Sequence, residues 1–263
     1  MSELATTALG DTVAFDLRGT GPAIVFVAGA GPYRAVDPTT TETAELAARR
    51  GVRTAVPDRL GRGESAAAGR IDLARELAAL RAVIDAAGGS AVLVGHSSGC
   101  AIALAAAAAG LPVTGLVLFE APFTLPGAQV RAWIGEFERL LDAGDLDGAL
   151  AQYMRDMPPE WLDGARRDPS YRQIVDGVVS YRADGEALVW TGSAPWARLL
   201  RPIAAPVLTL VGAETFPGMA EAAAAVAAAA PRGDTGVVAG RNHIWDAAAM
   251  AELLVEFTLG SAR

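Results

Sequence analysis

Gly95-His96-Ser97-Ser98-Gly99 constrains this chain more than any other stretch. The uncharged run Ser90-Ala91-Val92-Leu93-Val94 precedes it, and Cys100-Ala101-Ile102-Ala103-Leu104 with an alanine tract follows. A short β-branched run, a glycine-bounded serine and a strong helix former together predict a strand, a tight turn and a helix. The glycines at either end let strand and helix approach without an intervening Cβ. A helix starting just beyond Ser97 turns its unpaired N–H groups and positive dipole end toward the serine. Ser97 is therefore the first candidate for chemistry.

The flanking chain supplies a β–α rhythm. Residues 12 to 18 alternate polar and apolar, as a half-buried antiparallel strand does. Ala23-Ile24-Val25-Phe26-Val27 is continuously apolar, which predicts a strand covered on both faces, ending in Ala28-Gly29-Ala30-Gly31-Pro32. A helix over 39–50, a strand at 53–56, a helix over 71–87 and a strand at 113–119 are expected in turn. From 123 to 199 no good strand appears, while Trp133, Phe137, Tyr153, Trp161, Tyr171, Tyr181, Trp190 and Trp196 fall close together. This stretch reads as an inserted lobe of short helices. Strand 207–211, helix 217–230, strand 235–238 and helix 246–258 close the chain. Alternating strands and helices imply an α/β domain with a mostly parallel sheet and helices on both faces. The expected division is a core of 1–122 and 200–263 with a helical insertion at 123–199.

Bulk properties narrow the partners. A net charge of −8 over 263 residues disfavours nucleic acid and anionic membrane surfaces. Residues 91 to 119 carry no formal charge with His96 neutral, but His96, Ser97, Ser98 and the Gly110-Leu111-Pro112 break argue for strand, helix and strand rather than a membrane span. The single cysteine, Cys100, excludes an internal disulfide and reads as a small buried apolar residue. Met1-Ser2-Glu3-Leu4 lacks the features of a signal peptide, so a cytoplasmic location is expected. A small-molecule substrate is the expected partner, with a homodimer left open, and no metal or cofactor is called for.

A serine hydroxyl needs a base. The sequence has two histidines. His96 adjoins Ser97, and neighbours on such a turn point apart, so it reads as a packing or hydrogen-bonding residue. His243, in Gly240-Arg241-Asn242-His243, is then the candidate base. A carboxylate must orient the imidazole and stabilise its charged form. Glu120, directly after the 113–119 strand, and Glu214, in Gly212-Ala213-Glu214-Thr215, both qualify.

With these pieces the chain resembles the α/β-hydrolase family from end to end. The resemblance rests on Val25-Phe26-Val27-Ala28-Gly29-Ala30, on Pro57-Asp58-Arg59-Leu60-Gly61-Arg62-Gly63-Glu64-Ser65 as the family's D-x-x-G-x-G-x-S turn, on Gly95 to Gly99, and on Gly240 to His243. It most resembles small bacterial hydrolases carrying G-H-S-S-G followed by a glutamate-proline stretch. The resemblance implies that the family's usual acid position is filled by Thr215, which cannot serve, and that Glu120 matches the minority that place a glutamate after the earlier strand. It also implies oxyanion donors at the backbone N–H groups of Ala30 and Ser98, a structural role for Asp58 and Arg59, and a lid over 123–199. Ala28 departs from the histidine that many members carry before the glycine, which changes loop support. Three functions are compatible: a serine hydrolase of a small apolar ester, lactone or thioester; a C–C hydrolase, lyase, cyclase or acyltransferase using the same residues; and a non-catalytic small-molecule-binding protein.

Overall fold

Strands whose side chains are apolar on both faces can be covered only by helices on both sides. That is the arrangement in a computed structural model of the chain, which describes residues 2–261. Met1, the first residue of the N-terminal stretch read above, lies outside the described residues, as do 262 and 263. The strands are β1 (Glu3–Thr6), β2 (Thr12–Gly19), β3 (Ala23–Val27), β4 (Arg53–Pro57), β5 (Ala91–His96), β6 (Val113–Phe119), β7 (Val207–Glu214), β8 (Gly233–Arg241) and β9 (Ile244–Trp245). They form one sheet in the order β1-β2-β4-β3-β5-β6-β7-β8-β9. Strands β3 to β8 run parallel, while β1, β2 and β9 pair antiparallel at the edges.

The helices are α1 (Pro38–Ala48), α2 (Leu73–Ala87), α3 (Gly99–Ala108), α4 (Gly127–Asp142), α5 (Leu146–Met154), α6 (Pro159–Arg167), α7 (Tyr171–Gly177), α8 (Arg182–Thr191), α9 (Trp196–Leu199), α10 (Met219–Ala229) and α11 (Ala247–Ser261). Helices α4 to α9 all fall between β6 and β7. Among them α8 packs on α2 and α3, which ties this segment to the sheet-flanking layer.

Side-chain alternation along the strands assigns the two cores. Val25, Val27, Leu93, Leu116 and Leu118 face α2 and α3, whereas Ile24, Phe26, Val92, Val94, Val117 and Phe119 face α1 and α11. Each fully buried side chain of this kind contributes about 1.5–3 kcal/mol. Helix α3 is apolar all round and buried, the condition for a helix wedged inside a domain, and this accounts for the uncharged run from 91 to 119. Among the described residues, no helix is long and apolar enough to cross a membrane.

Three features differ from the sequence reading. Strand β7 continues through Glu214, so this carboxylate ends a strand instead of sitting in a loop. Strands β1 and β9 were not expected. β9 exists because Gly240 pairs with Trp245 and Arg241 with Ile244, closing a hairpin over the two residues Asn242 and His243. Both carry positive φ, 53° and 65°, as the type I′ turn requires, and neither is the glycine that normally signals it.

Candidate functional site

The C-terminal ends of β5, β6 and β8 bring the predicted residues together. At the end of β5 the Ser97 N–H donates to the Phe119 carbonyl (3.0 Å), fastening the turn to β6. A Cβ at Gly95 would lie 2.7 Å from the Cys100 Cα, and one at Gly99 would strike the Val27 carbonyl. The glycines therefore permit the sharp reversal between strand and helix. Aspartates cap α1, α2 and α5 through Thr40, Arg75 and Gly148 N–H groups, whereas no side chain caps α3. The Cys100 and Ala101 N–H groups are instead taken by the Ser97 and Ser98 carbonyls, in the tightened first turn of the helix.

Glu120 and His243 are hydrogen-bonded directly to one another. His243 Nδ1 donates to Glu120 Oε2 at 2.5 Å, and the Gly212 N–H donates to Oε1 at 3.1 Å. Burial pushes the Glu120 carboxyl up, but the hydrogen bonds from His243 and Gly212 prevail and hold it below the usual carboxylate range. With Nδ1–H given to a carboxylate, the tautomer leaves Nε2 as an acceptor. Glu214 is exposed and lies in register with Arg241, and the ring nitrogen it would need is already taken by Glu120. The Thr215 hydroxyl, at the position where the resemblance would put the acid, is buried without a hydrogen-bond partner among the described residues.

His96 explains how elbow and histidine turn are held in register. Its Nε2–H donates to the His243 carbonyl (2.9 Å), and its ring stands 4.8 Å from the His243 ring and 5.1 Å from Trp245. Burial and the neighbouring His243 bring its pKa down to about 3, which keeps this ring neutral. Among the described residues no hydrogen bond joins the Ser97 hydroxyl to the imidazole; such contacts commonly tighten only when substrate binds.

Backbone strain marks the same residues. Among the described residues, the non-glycine positions with positive φ are Ser97 (54°), Glu120 (47°), Asn242 (53°) and His243 (65°). Each costs about 1–2 kcal/mol, and such conformations collect where function needs them. Sequence alone gives no sign of this.

The glycine-rich loop after β3 lies against the elbow, since a Cβ at Gly29 would sit 2.9 Å from the Ser97 Cβ. The Ala30 N–H donates to Ser98 Oγ (3.0 Å), and Ser98 Oγ donates to Asp184 Oδ1 on α8 (2.8 Å). Arg59 Nη1 donates to the Ala28 carbonyl (3.0 Å), and Arg62 Nη1 to the Gly29 carbonyl. These arginines thus hold the loop at Ala28 and Gly29 through its carbonyls. Asp58 organises its own turn by accepting the N–H groups of Arg34 and Glu64 and pairing with the Arg34 guanidinium (2.9 Å). Sequence reasoning assigned no role to Arg62 or Asp184.

Two aromatic side chains border His243. The Trp161 ring, from α6, lies 6.0 Å from the imidazole and 5.8 Å from Phe216, which itself lies 6.2 Å from the imidazole. Phe123 and Trp196 pair at 5.0 Å. Tyr153 and Tyr181, by contrast, are buried with Trp133 and Phe137 in the core of the segment. Among the described residues, no cluster of three or more His, Cys, Asp or Glu side chains is arranged to hold a metal ion.

Comparison with known proteins agrees with this architecture. A family model described as alpha/beta hydrolase family matches residues 24–256. Lipase LipV of Mycobacterium tuberculosis is 34% identical over 161 residues, which are 58% of this chain and 59% of LipV. The match thus spans about three fifths of that relative. An alpha/beta hydrolase from Sphaerobacter thermophilus superposes with a TM-score of 0.81 at 28% identity, covering 97% of this chain and 99% of the other. A thermophilic esterase from Thermogutta terrifontis shares the fold, with a TM-score of 0.62 at 21% identity over 100% and 97% of the two chains. The parallel sheet, the serine turn after β5 and the extent of these matches place the chain in the alpha/beta hydrolase family, as an enzyme of the hydrolase type.

Proposed function

We propose that this enzyme is a serine hydrolase acting on a small, largely apolar carboxylic ester, lactone or thioester. The observation that carries the reading is the pairing of the buried Glu120 with the partly buried His243, set on strained backbone beside an equally strained Ser97. In the proposed reaction Ser97 Oγ attacks the carbonyl carbon while His243 Nε2 takes its proton. Glu120 stabilises the imidazolium that results. The N–H groups of Ser98 and Ala30 receive the oxyanion. His243 then protonates the leaving group, and in the second half it activates the water that releases the acid from Ser97. These steps need no metal or cofactor.

The apolar preference rests on Trp161 and Phe216 beside His243, and the similarity to a lipase over part of the chain favours an ester bond. On this reading residues 123–199 act as the lid. A fluorophosphonate probe tests the nucleophile: it is expected to label Ser97 in the native enzyme and to leave Ser97→Ala and His243→Ala unlabelled. Absence of labelling in the native enzyme would sink the serine mechanism. Strong labelling without turnover across p-nitrophenyl esters of different acyl length would point instead to a C–C hydrolase, lyase, cyclase or acyltransferase using the same residues.

Trp161→Ala removes a large apolar wall that binds substrate and transition state alike. The expected result is a rise of about 10-fold in KM for an apolar p-nitrophenyl ester with kcat changed little, the mark of lost uniform binding. An unchanged KM would remove Trp161 from the substrate site.

A further inference from the structure

We infer that Asp184 is a positioning residue for turnover, holding the Ser98 hydroxyl against the Ala30 N–H and so fixing the two peptides proposed as oxyanion donors. The inference rests on the serine-hydrolase reading of the site.

Asp184 is fully buried on α8, more than eighty residues along the chain from Ser98. Its Oδ1 accepts from Ser98 Oγ (2.8 Å) and Arg59 Nη1 (2.7 Å), and its Oδ2 from Arg62 Nη2 (2.9 Å). Ser98, Arg59 and Arg62 are buried as well. Arg59 is further paired with Glu76 (2.9 Å), and Arg62 with the Ser180 hydroxyl (2.9 Å). Well-packed apolar residues usually do as well or better for stability than a buried ion cluster. A cluster of this size directly beneath the reacting groups therefore calls for a second reason.

Connectivity supplies it. Through this cluster two consecutive peptides of the loop are held: the carbonyl of Ala28 by Arg59, the carbonyl of Gly29 by both arginines, and the N–H of Ala30, on the same peptide as the Gly29 carbonyl, by Ser98. The loop contains Gly29 and Gly31, the latter at φ 103°, and so has little stiffness of its own. Donor placement must be good to about half an ångström for full effect. Among the described residues, Asp184 is the one side chain joined to all three holders.

The Ser98 contact also sets when the Ala30 N–H is used. In the resting enzyme Ser98 Oγ accepts this N–H, keeping it oriented and out of water. A substrate carbonyl competes poorly with the hydroxyl, whereas a developing oxyanion forms a charge-assisted bond about twice as strong and draws the proton into a shared, three-centre arrangement. The donor thus favours the transition state over the bound substrate, which raises kcat rather than lowering KM.

The test uses the full chain with p-nitrophenyl butyrate as substrate and the fluorophosphonate probe. Ser98→Ala removes one hydroxyl and should fold, melting within about 3 °C of the native enzyme. Its kcat is expected to fall about 10- to 100-fold with KM within twofold. Asp184→Asn should act in the same direction, and the double variant should be no slower than Asp184→Asn alone, because both break one link. If Asp184→Asn fails to fold, Ser98→Ala decides alone. A native kcat in Ser98→Ala, a loss confined to KM, or multiplying effects in the double variant would overturn the inference while native Ser97 labelling preserves the hydrolase reading. An unlabelled native enzyme would overturn both.

Discussion

Glutamine at position 120 is expected to cut kcat/KM about 10⁴-fold, whereas glutamine at position 214 should leave it within twofold. The difference follows from what each carboxylate holds. Glu120 Oε1 accepts the Gly212 N–H while Oε2 accepts Nδ1–H of His243. In Glu120→Gln the amide oxygen is claimed by Gly212, which turns the amide NH₂ toward Nδ1. The imidazole must then carry its proton on Nε2, where it cannot accept one from Ser97. Glu214 is exposed and holds neither ring nitrogen. The same variant reports on stability. The folded-state pKa of Glu120 lies below its unfolded value, so ionised Glu120 stabilises the native state above about pH 4.3 and this contribution is lost as pH falls through the lowered folded value. Glu120→Gln should therefore be less stable than the native enzyme at pH 7, with the gap narrowing in acid. Equal mild losses of activity from both glutamine variants, with no change in their acid unfolding, would refute the assignment of Glu120.

What was legible in the sequence was the part with local or periodic signals. The continuous apolar strands, the glycines around Ser97 and the scarcity of histidines led directly to β3, β5 and the candidate base, because each depends on neighbours within a few residues. The choice between Glu120 and Glu214 was harder, since both are carboxylates after apolar strands. In the structure β6 stops at Phe119 and Glu120 meets His243, while β7 continues to Glu214 and carries that side chain into solvent. Strand β9 went unseen because its turn uses Asn242-His243, where the usual signal is a glycine. Asp184 was illegible for another reason. In Arg182-Ala183-Asp184-Gly185 it looks like any solvated helix charge, and its partner Arg62 lies 122 positions away. Long-range polar pairing leaves no periodic trace.

The strain at Ser97 leads to the second large effect. Ser97→Ala and Ser97→Gly should both lose activity by up to about 10⁶-fold, as expected when an attacking hydroxyl is removed. Their stabilities should nevertheless differ. Position 97 sits at φ 54°, where a Cβ costs about 1–2 kcal/mol and glycine pays no steric penalty. Alanine keeps the Cβ and therefore the strain. Glycine relieves it but gives back about 0.5–1 kcal/mol through the greater freedom of the unfolded chain. The net advantage of about 1 kcal/mol should place the melting temperature of Ser97→Gly roughly 2–4 °C above that of Ser97→Ala in a chain of this size. Position 97 is the clean place to measure this, because removing His243 would also leave Glu120 buried without its partner. Inactive variants ordered with alanine above glycine would mean that the turn is not strained, and that its conformation is imposed by Gly95, Gly99 and their close contacts alone. The expected order would instead show stability held below its attainable value at the residue that the proposed chemistry needs most.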